Sequence, residues 1–217
     1  MIPVAALVLA AGTARRFGAD KRLARLPSGQ RVLEATVAQC LHAALPTLVV
    51  IDRSDDGLDT LLREQGADTV TLAGARSGRA GVGMGDSLAA GIARVSDAGY
   101  QASLIVLGDM PWVRPDTLRV LCTTLSERGP EAIVAPLYSP ARGETVCAVQ
   151  AGSTMRGHPV GFGSNHFARL LRLSGDSGAR ELLRRHAADL VICEVDDPGV
   201  LRDVDRPRDL QSGGPGG

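Results

Sequence analysis

Pro3 to Ala10 reads PVAALVLA, a near-continuous apolar run that breaks into a loop carrying glycine and arginine. A strand with one wet face alternates apolar and polar residues. A run without that alternation belongs between two covering layers, as in a parallel sheet. No basic residue precedes it, the charges follow it, and it is far too short to span a bilayer. It therefore reads as a buried strand rather than a signal peptide. The pattern continues downstream. Val32 to Ala44 places Leu33, Val37, Cys40 and Leu41 on one helical stripe. Thr47 to Asp52 (TLVVID) predicts a second strand, Leu58 to Gln65 a short helix, and Asp68 to Leu72 (DTVTL) a third strand. This alternation predicts an α/β fold of three layers, α/β/α, around a mostly parallel sheet.

Composition limits what such a fold can do. Of 217 residues, 44% are hydrophobic, enough for a sizeable core, and no linker or internal repeat divides it. Residues 1–211 are expected to form one domain, with SGGPGG (212–217) a disordered tail. Lys+Arg and Asp+Glu both number 24, so the chain lacks the basic field that nucleic-acid binding usually needs. Neither nucleic acid nor membrane is an expected partner, and any anion site must be local. Cys40, Cys122, Cys147 and Cys193 form no C-x-x-C pair, which argues against a zinc knuckle or a dithiol motif. They read as reduced thiols of a cytoplasmic protein.

Further along, Ala73 to Gly85 (AGARSGRAGVGMG) is almost all small residues, suited to a flexible loop or to a ligand lying against bare backbone. GVGMGD lacks the order of a dinucleotide fingerprint, and no Walker sequence occurs. A helix is predicted over Asp86 to Val95, then a buried strand over Ala102 to Leu107 that runs into GDMPWV. Asp109 thus lies just past the carboxyl end of a parallel strand, where open α/β sheets bind ligands. It is the best candidate for a metal ligand; the alternative is a cap for the next turn, although Pro115 and Asp116 already introduce the following helix.

The second half is less regular. A helix over Pro115 to Arg128 precedes strands at Glu131 to Leu137 and Thr145 to Gln150, with a turn at Ser139 to Gly143. In RGHPVGFG, His158 is either a ligand contact or a turn residue. A helix is predicted over Asn165 to Leu173. Asp176, Ser177, Gly178 and Arg180 then make a turn and helix start able to hold an anion. Leu190 to Val195 predicts the last strand. Asp203 and Asp205 alternate around Val204, so in an extended segment they point the same way. They either share a cation with Asp109 or flank a turn.

Leu9 to Lys21, LAAGTARRFGADK, joins these pieces to a chemistry. Gly12 and Gly18 leave no Cβ in the way of main-chain N–H groups, and Arg15, Arg16 and Lys21 carry charge that persists at neutral pH. The segment is a polyphosphate cradle or a basic surface turn.

LAAGTARRFGADK, GMGDSLAAGI, VLGDMPWV, GHPVGF, GDSGAR and DVDRPRDL, taken together and in this order, resemble the molybdenum cofactor nucleotidyltransferases. These are MobA-like NTP transferases of the GT-A, nucleotide-diphospho-sugar-transferase-like group. LAAG, GHPV and GDSGAR resemble the CTP-using, MocA-like cytidylyltransferase branch more than the GTP-using one. The resemblance implies transfer of CMP from CTP to the terminal phosphate of molybdopterin-bound molybdenum cofactor, with release of pyrophosphate and with Mg²⁺ as cofactor. It implies that Leu9, Ala10, Ala11, Gly12, Arg15, Lys21, Gly83, Gly85, Ser87 and Asp109 line the nucleotide, and that Arg15, Lys21 and Asp109 are catalytic. It further implies that Asp109 and Asp205 hold the metal, and that His158, Pro159, Asp176, Gly178 and Arg180 face the acceptor. A xanthine-dehydrogenase-type molybdoenzyme is an implied partner. Arg206 and Arg208 stand where the family usually has Thr and Glu, Phe17 stands for a methionine, and an Asn common before GMG is missing.

A phosphate monoester with a second pKa of about 6 is already largely dianionic at neutral pH, so the reaction needs no side-chain nucleophile. Positioning and charge neutralisation suffice. The alternatives are a transferase of the same fold using GTP or another NTP, acting on molybdopterin or on a sugar or alcohol phosphate, and a non-catalytic molybdenum cofactor carrier. A carrier would not require Arg15, Lys21 and Asp109.

Overall fold

A computed structural model describes residues 1–12, 17, 20–52, 56–72, 83–140, 146–149, 157–187 and 190–211. Among these, β1 (Val4–Leu9), β2 (Thr47–Asp52), β3 (Asp68–Leu72), β4 (Ala102–Leu107), β5 (Ile133–Tyr138), β6 (Val146–Val149), β7 (Val160–Gly163) and β8 (Leu190–Val195) form one sheet. Its strand order is β3-β2-β1-β4-β7-β5-β8-β6. The β1–β2, β1–β4, β2–β3 and β5–β8 ladders are parallel, while β7 runs antiparallel to β4 and β5, and β6 antiparallel to β8.

The apolar run at the start explains the layering. Alternate side chains of a strand leave opposite faces. Val4, Ala6 and Val8 accordingly join one core with Leu33 and Val37 of α1 (Val32–His42), Leu58 and Leu62 of α2 (Asp56–Gln65), and Leu118, Leu121 and Leu125 of α4 (Pro115–Arg128). Ala5 and Leu7 join the other core with Leu88, Ile92 and Val95 of α3 (Met84–Asp97), Phe167 and Leu170 of α5 (Phe167–Leu170), and Leu182 of α6 (Arg180–Arg185). The result is the expected α/β/α sandwich around a mostly parallel sheet. No helix of the described residues is long and apolar enough to cross a membrane.

Three expectations are corrected. The strand β7 lies hidden in RGHPVGFG, whose glycines and proline do not read as a strand. The glycines are needed because neighbours press close: a Cβ on Gly161 would meet the Leu125 side chain at 2.7 Å, and one on Gly163 the Pro130 carbonyl oxygen at 2.2 Å. The helix expected over Asn165 to Leu173 is a 3-10 turn at Ser164–His166 followed by the single turn of α5. Finally, Cys193 is disulfide-bonded rather than reduced. It faces Cys147 in the β6–β8 ladder. Cys40 and Cys122 are free, and burial pushes the Cys40 thiol up to about 12. Residues 212–217 lie outside the described residues.

Candidate functional site

The LAAG and GDM segments leave neighbouring strands at the same level, since Leu9 pairs with Leu107 in the β1–β4 ladder. Gly108 N–H donates to the Leu9 carbonyl at 3.0 Å, and a Cβ there would sit 2.9 Å from that oxygen, so the glycine lets the two segments close together. One residue on, Asp109 emerges at the carboxyl edge of the sheet.

The carboxyl-terminal segment reaches the same edge by a backbone contact. Val204 N–H donates to the Asp109 carbonyl at 2.9 Å, and the Val204 side chain is fully buried with Leu26, Val32 and Ala35. Asp203 and Asp205, on either side of that anchor, bring their carboxylates back toward Asp109. Ligand oxygens of all three lie within 4.8 Å of one another. Lys21 bridges the group: its Nζ is 2.5 Å from Asp109 Oδ2 and 3.4 Å from Asp205 Oδ1.

The electrostatics follow from this crowding. Burial opposes the Lys21 ammonium, but the Asp109 and then the Asp205 charges outweigh it and hold the lysine above its ordinary value. Burial and the neighbouring Asp205 and Asp109 charges push the Asp203 carboxyl up, with Lys21 only partly offsetting them. Asp109 Oδ1 is buried and has no hydrogen-bond partner among the described residues. Three converging oxygen donors, one of them unsatisfied, suit a hard divalent cation.

The other expected site residues divide between two places. Ala10 and Ala11 are buried and Leu9 partly so, at the end of β1; Gly12 has open space where a Cβ would stand. Arg15, Arg16 and Gly18 lie outside the described residues. His158 lies within electrostatic reach of Asp109; its N–H donates to the Val200 carbonyl at 2.9 Å, and its ring Nδ1 is buried with no hydrogen-bond partner among the described residues. Burial lowers its pKa while the Asp109 charge opposes that shift. Pro159 is buried behind it, after a cis peptide bond.

Gly83, Gly85 and Ser87 meet the GDSGAR segment instead. Gly85 N–H donates to the Gly175 carbonyl at 2.8 Å. Asp86 Oδ2 accepts from Gly83 N–H at 3.2 Å and from Gly175 N–H at 3.1 Å, tying the two turns together. A Cβ on Gly83 would come within 2.0 Å of the Gly175 oxygen. Ser87 is buried, and its hydroxyl donates to the Gly83 carbonyl at 3.1 Å, closing the first turn of α3. Asp176 and Arg180 are exposed on this turn, and Gly178 borders Met84. GHPV and GDSGAR, grouped as acceptor segments on sequence, thus dock on different parts of the fold: one beside Asp109, the other on the amino end of α3.

The sequence reading missed Arg22. Its side chain is buried, its Nη1 donates to the Ala10 carbonyl at 2.7 Å, and its Nε and Nη2 fork onto Asp20 at 2.6–3.1 Å. Burial alone would raise the Asp20 pKa, but the hydrogen bonds and charge of Arg22 hold it below the usual carboxylate range. An acid two residues before a base is a common pair, and nothing in DKR marks the arginine as the buried member.

The model of the MobA-like NTP transferase domain matches residues 6–190. Purine catabolism protein PucB of Bacillus subtilis is 25% identical over 205 residues, covering 93% of this chain and 91% of that protein. Rv0371c of Mycobacterium tuberculosis superposes with a TM-score of 0.74 at 26% identity, over 97% of this chain and 98% of its own. A nucleotidyl transferase from Methanothermobacter, Mth528, gives 0.72 at 26% identity over 95% and 94%. CMP:2-keto-3-deoxy-manno-octonic acid synthetase, solved with CTP, shares the fold with a TM-score of 0.68 at 12% identity, over 96% and 95%.

Proposed function

The chain belongs to the MobA-like NTP transferase domain family, and from that premise we propose that this nucleotidyltransferase moves CMP from CTP to the terminal phosphate of molybdopterin-bound molybdenum cofactor. The observation that carries the reading is the meeting of Lys21 with Asp109 and Asp205, from three distant parts of the chain, at the carboxyl edge of the sheet. An acceptor phosphate oxygen attacks the α-phosphorus of CTP, and the bond to the departing pyrophosphate breaks. No protein nucleophile is required. Lys21 and Arg15 offset charge that builds on the pyrophosphate, an interaction that is strongest as the bond breaks. Asp109 and Asp205, with Asp203 beside them, would hold Mg²⁺, which would supply charge neutralisation for the phosphates. His158, next to Asp109, faces the acceptor side. The name of the PucB relative, a purine catabolism protein, is in keeping with a xanthine-dehydrogenase-type client.

Two measurements test this. In a thermal-shift panel of CTP, GTP, UTP and ATP with Mg²⁺, a nucleotide that binds only the folded chain raises its midpoint, and CTP is expected to stand out. Mass spectrometry after incubation with molybdenum cofactor and mixed NTPs identifies the product. A guanylylated product would move the assignment to the GTP-using branch; tight cofactor binding without any nucleotide binding would make the chain a carrier.

A further inference from the structure

We propose that Arg22 is a positioning residue that sets the aim of Lys21. The inference rests on the nucleotide-site reading for its functional consequence and on geometry alone for its structural one.

Ala10 is the fixed start of the loop. Its N–H donates to the Val50 carbonyl at 2.9 Å, so the residue is held at the end of β1, and its own carbonyl is left to be satisfied. Asp20 is the fixed end. Its carboxylate accepts the Arg22 N–H at 3.0 Å and caps the 3-10 turn Lys21–Leu23. The Arg22 guanidinium binds both ends at once, the Ala10 carbonyl through Nη1 and the Asp20 carboxylate through Nε and Nη2.

Lys21 stands between the two members of the brace in sequence, and its side chain goes elsewhere, to Asp109 and Asp205. A four-carbon stem with a flexible head is held at such a point only if its backbone is fixed. The backbone here is one short 3-10 turn whose capping acid is itself held by Arg22. Removing the guanidinium takes this donor from a buried carbonyl and from the carboxylate that caps the Lys21 turn, so the turn loses the support of its cap. A lysine at position 22 could reach one partner but cannot make the fork onto Asp20.

The test uses the full chain with Arg22→Met, Arg22→Lys and Asp20→Asn, each also in a Lys21→Met background. The first readout is the Lys21 ammonium signal in heteronuclear NMR, assigned by its loss in Lys21→Met. The second is the dissociation constant for CTP and, in parallel, GTP with Mg²⁺ at a temperature where every variant is folded. Arg22→Met is expected to shift or broaden the Lys21 signal and to weaken nucleotide binding by roughly ten-fold or more, with Arg22→Lys intermediate. In the Lys21→Met background the same change should cost much less, because residues acting through one another are not additive. A general loss of packing would lower the melting point while leaving the two losses additive. An unchanged Lys21 signal in a folded Arg22→Met or Asp20→Asn variant, or fully additive losses, would overturn the proposal. A displaced Lys21 signal in a chain that binds neither nucleotide would support the brace and remove the functional reading instead.

Discussion

Asp109 and Asp205 grip the same ammonium from two differently built walls. Asp109 leaves the end of β4, a strand buried in the middle of the sheet, and its side chain is 16% exposed. Asp205 sits on a segment with no regular structure, and its side chain is 50% exposed. The first wall is held by ladders on both sides. The second is tied to Asp109 by a buried valine and a main-chain hydrogen bond, and within itself by Asp209, whose Oδ2 accepts the Asp205 and Arg206 N–H groups at 3.1 and 2.7 Å. Elements of low local stability are where proteins put parts that must adjust to ligands, so the strand-end carboxylate should carry the larger share of the chemistry and the outer segment should tune it.

The largest expected effect is therefore at Asp109. Asp109→Asn keeps the shape but removes the charge, and Mg²⁺-dependent pyrophosphate release should fall roughly 10³-fold, the scale seen when a key charge-stabilising group is lost. The far-UV spectrum should be unchanged. Turnover within ten-fold of the parent would show that Asp109 only anchors Lys21. Asp205→Asn should cost less, about ten-fold to a hundred-fold, because its exposed carboxylate is more screened by water. Equal losses at the two positions would erase the proposed difference between the walls.

Val204→Ala tests the anchor without touching a charge. Removing a buried valine's outer methyl groups costs about 2 kcal/mol of stability. Activity at a temperature well below the melting point should drop several-fold, through the apparent affinity for Mg²⁺. If the metal dependence stays the same while stability falls, the valine packs the core and does not aim the carboxylates.

The same contrast explains what the sequence made legible. Asp109 could be found from the apolar run before it, since strand ends in parallel sheets locate ligand sites whatever the rest of the chain does. The bounds of β2, β3, β4 and β8 followed from pattern for the same reason. Asp203 and Asp205 were legible as a pair facing one way, but their nearness to Asp109 depends on the Val204 contact, which no periodicity encodes. The strand β7 was hidden because close neighbours demanded glycine where strands normally carry β-branched residues. Arg22 was hidden because it stands in the charged run after Asp20 and Lys21, where only burial separates a brace from a solvated charge.

The smallest effect concerns Asp203, and its sign is the useful part. Burial and the adjacent carboxylates raise its pKa in the folded chain, so the folded state holds that proton more tightly than the unfolded one. By linkage, Asp203 then costs stability as pH rises above the usual carboxylate value of about 3.9, and costs nothing well below it. In metal-free protein near pH 7, Asp203→Asn should therefore raise the melting temperature, by about 2 °C, discounted for the exposure of the group. The gain should shrink as pH falls through the carboxylate range. Excess Mn²⁺ should reverse the ranking, because a cation among three carboxylates rewards the charge that the bare site penalises. A variant less stable than the parent without metal would mean that Lys21 already neutralises all three acids, and the outer wall would then have no repulsion left for a metal to relieve.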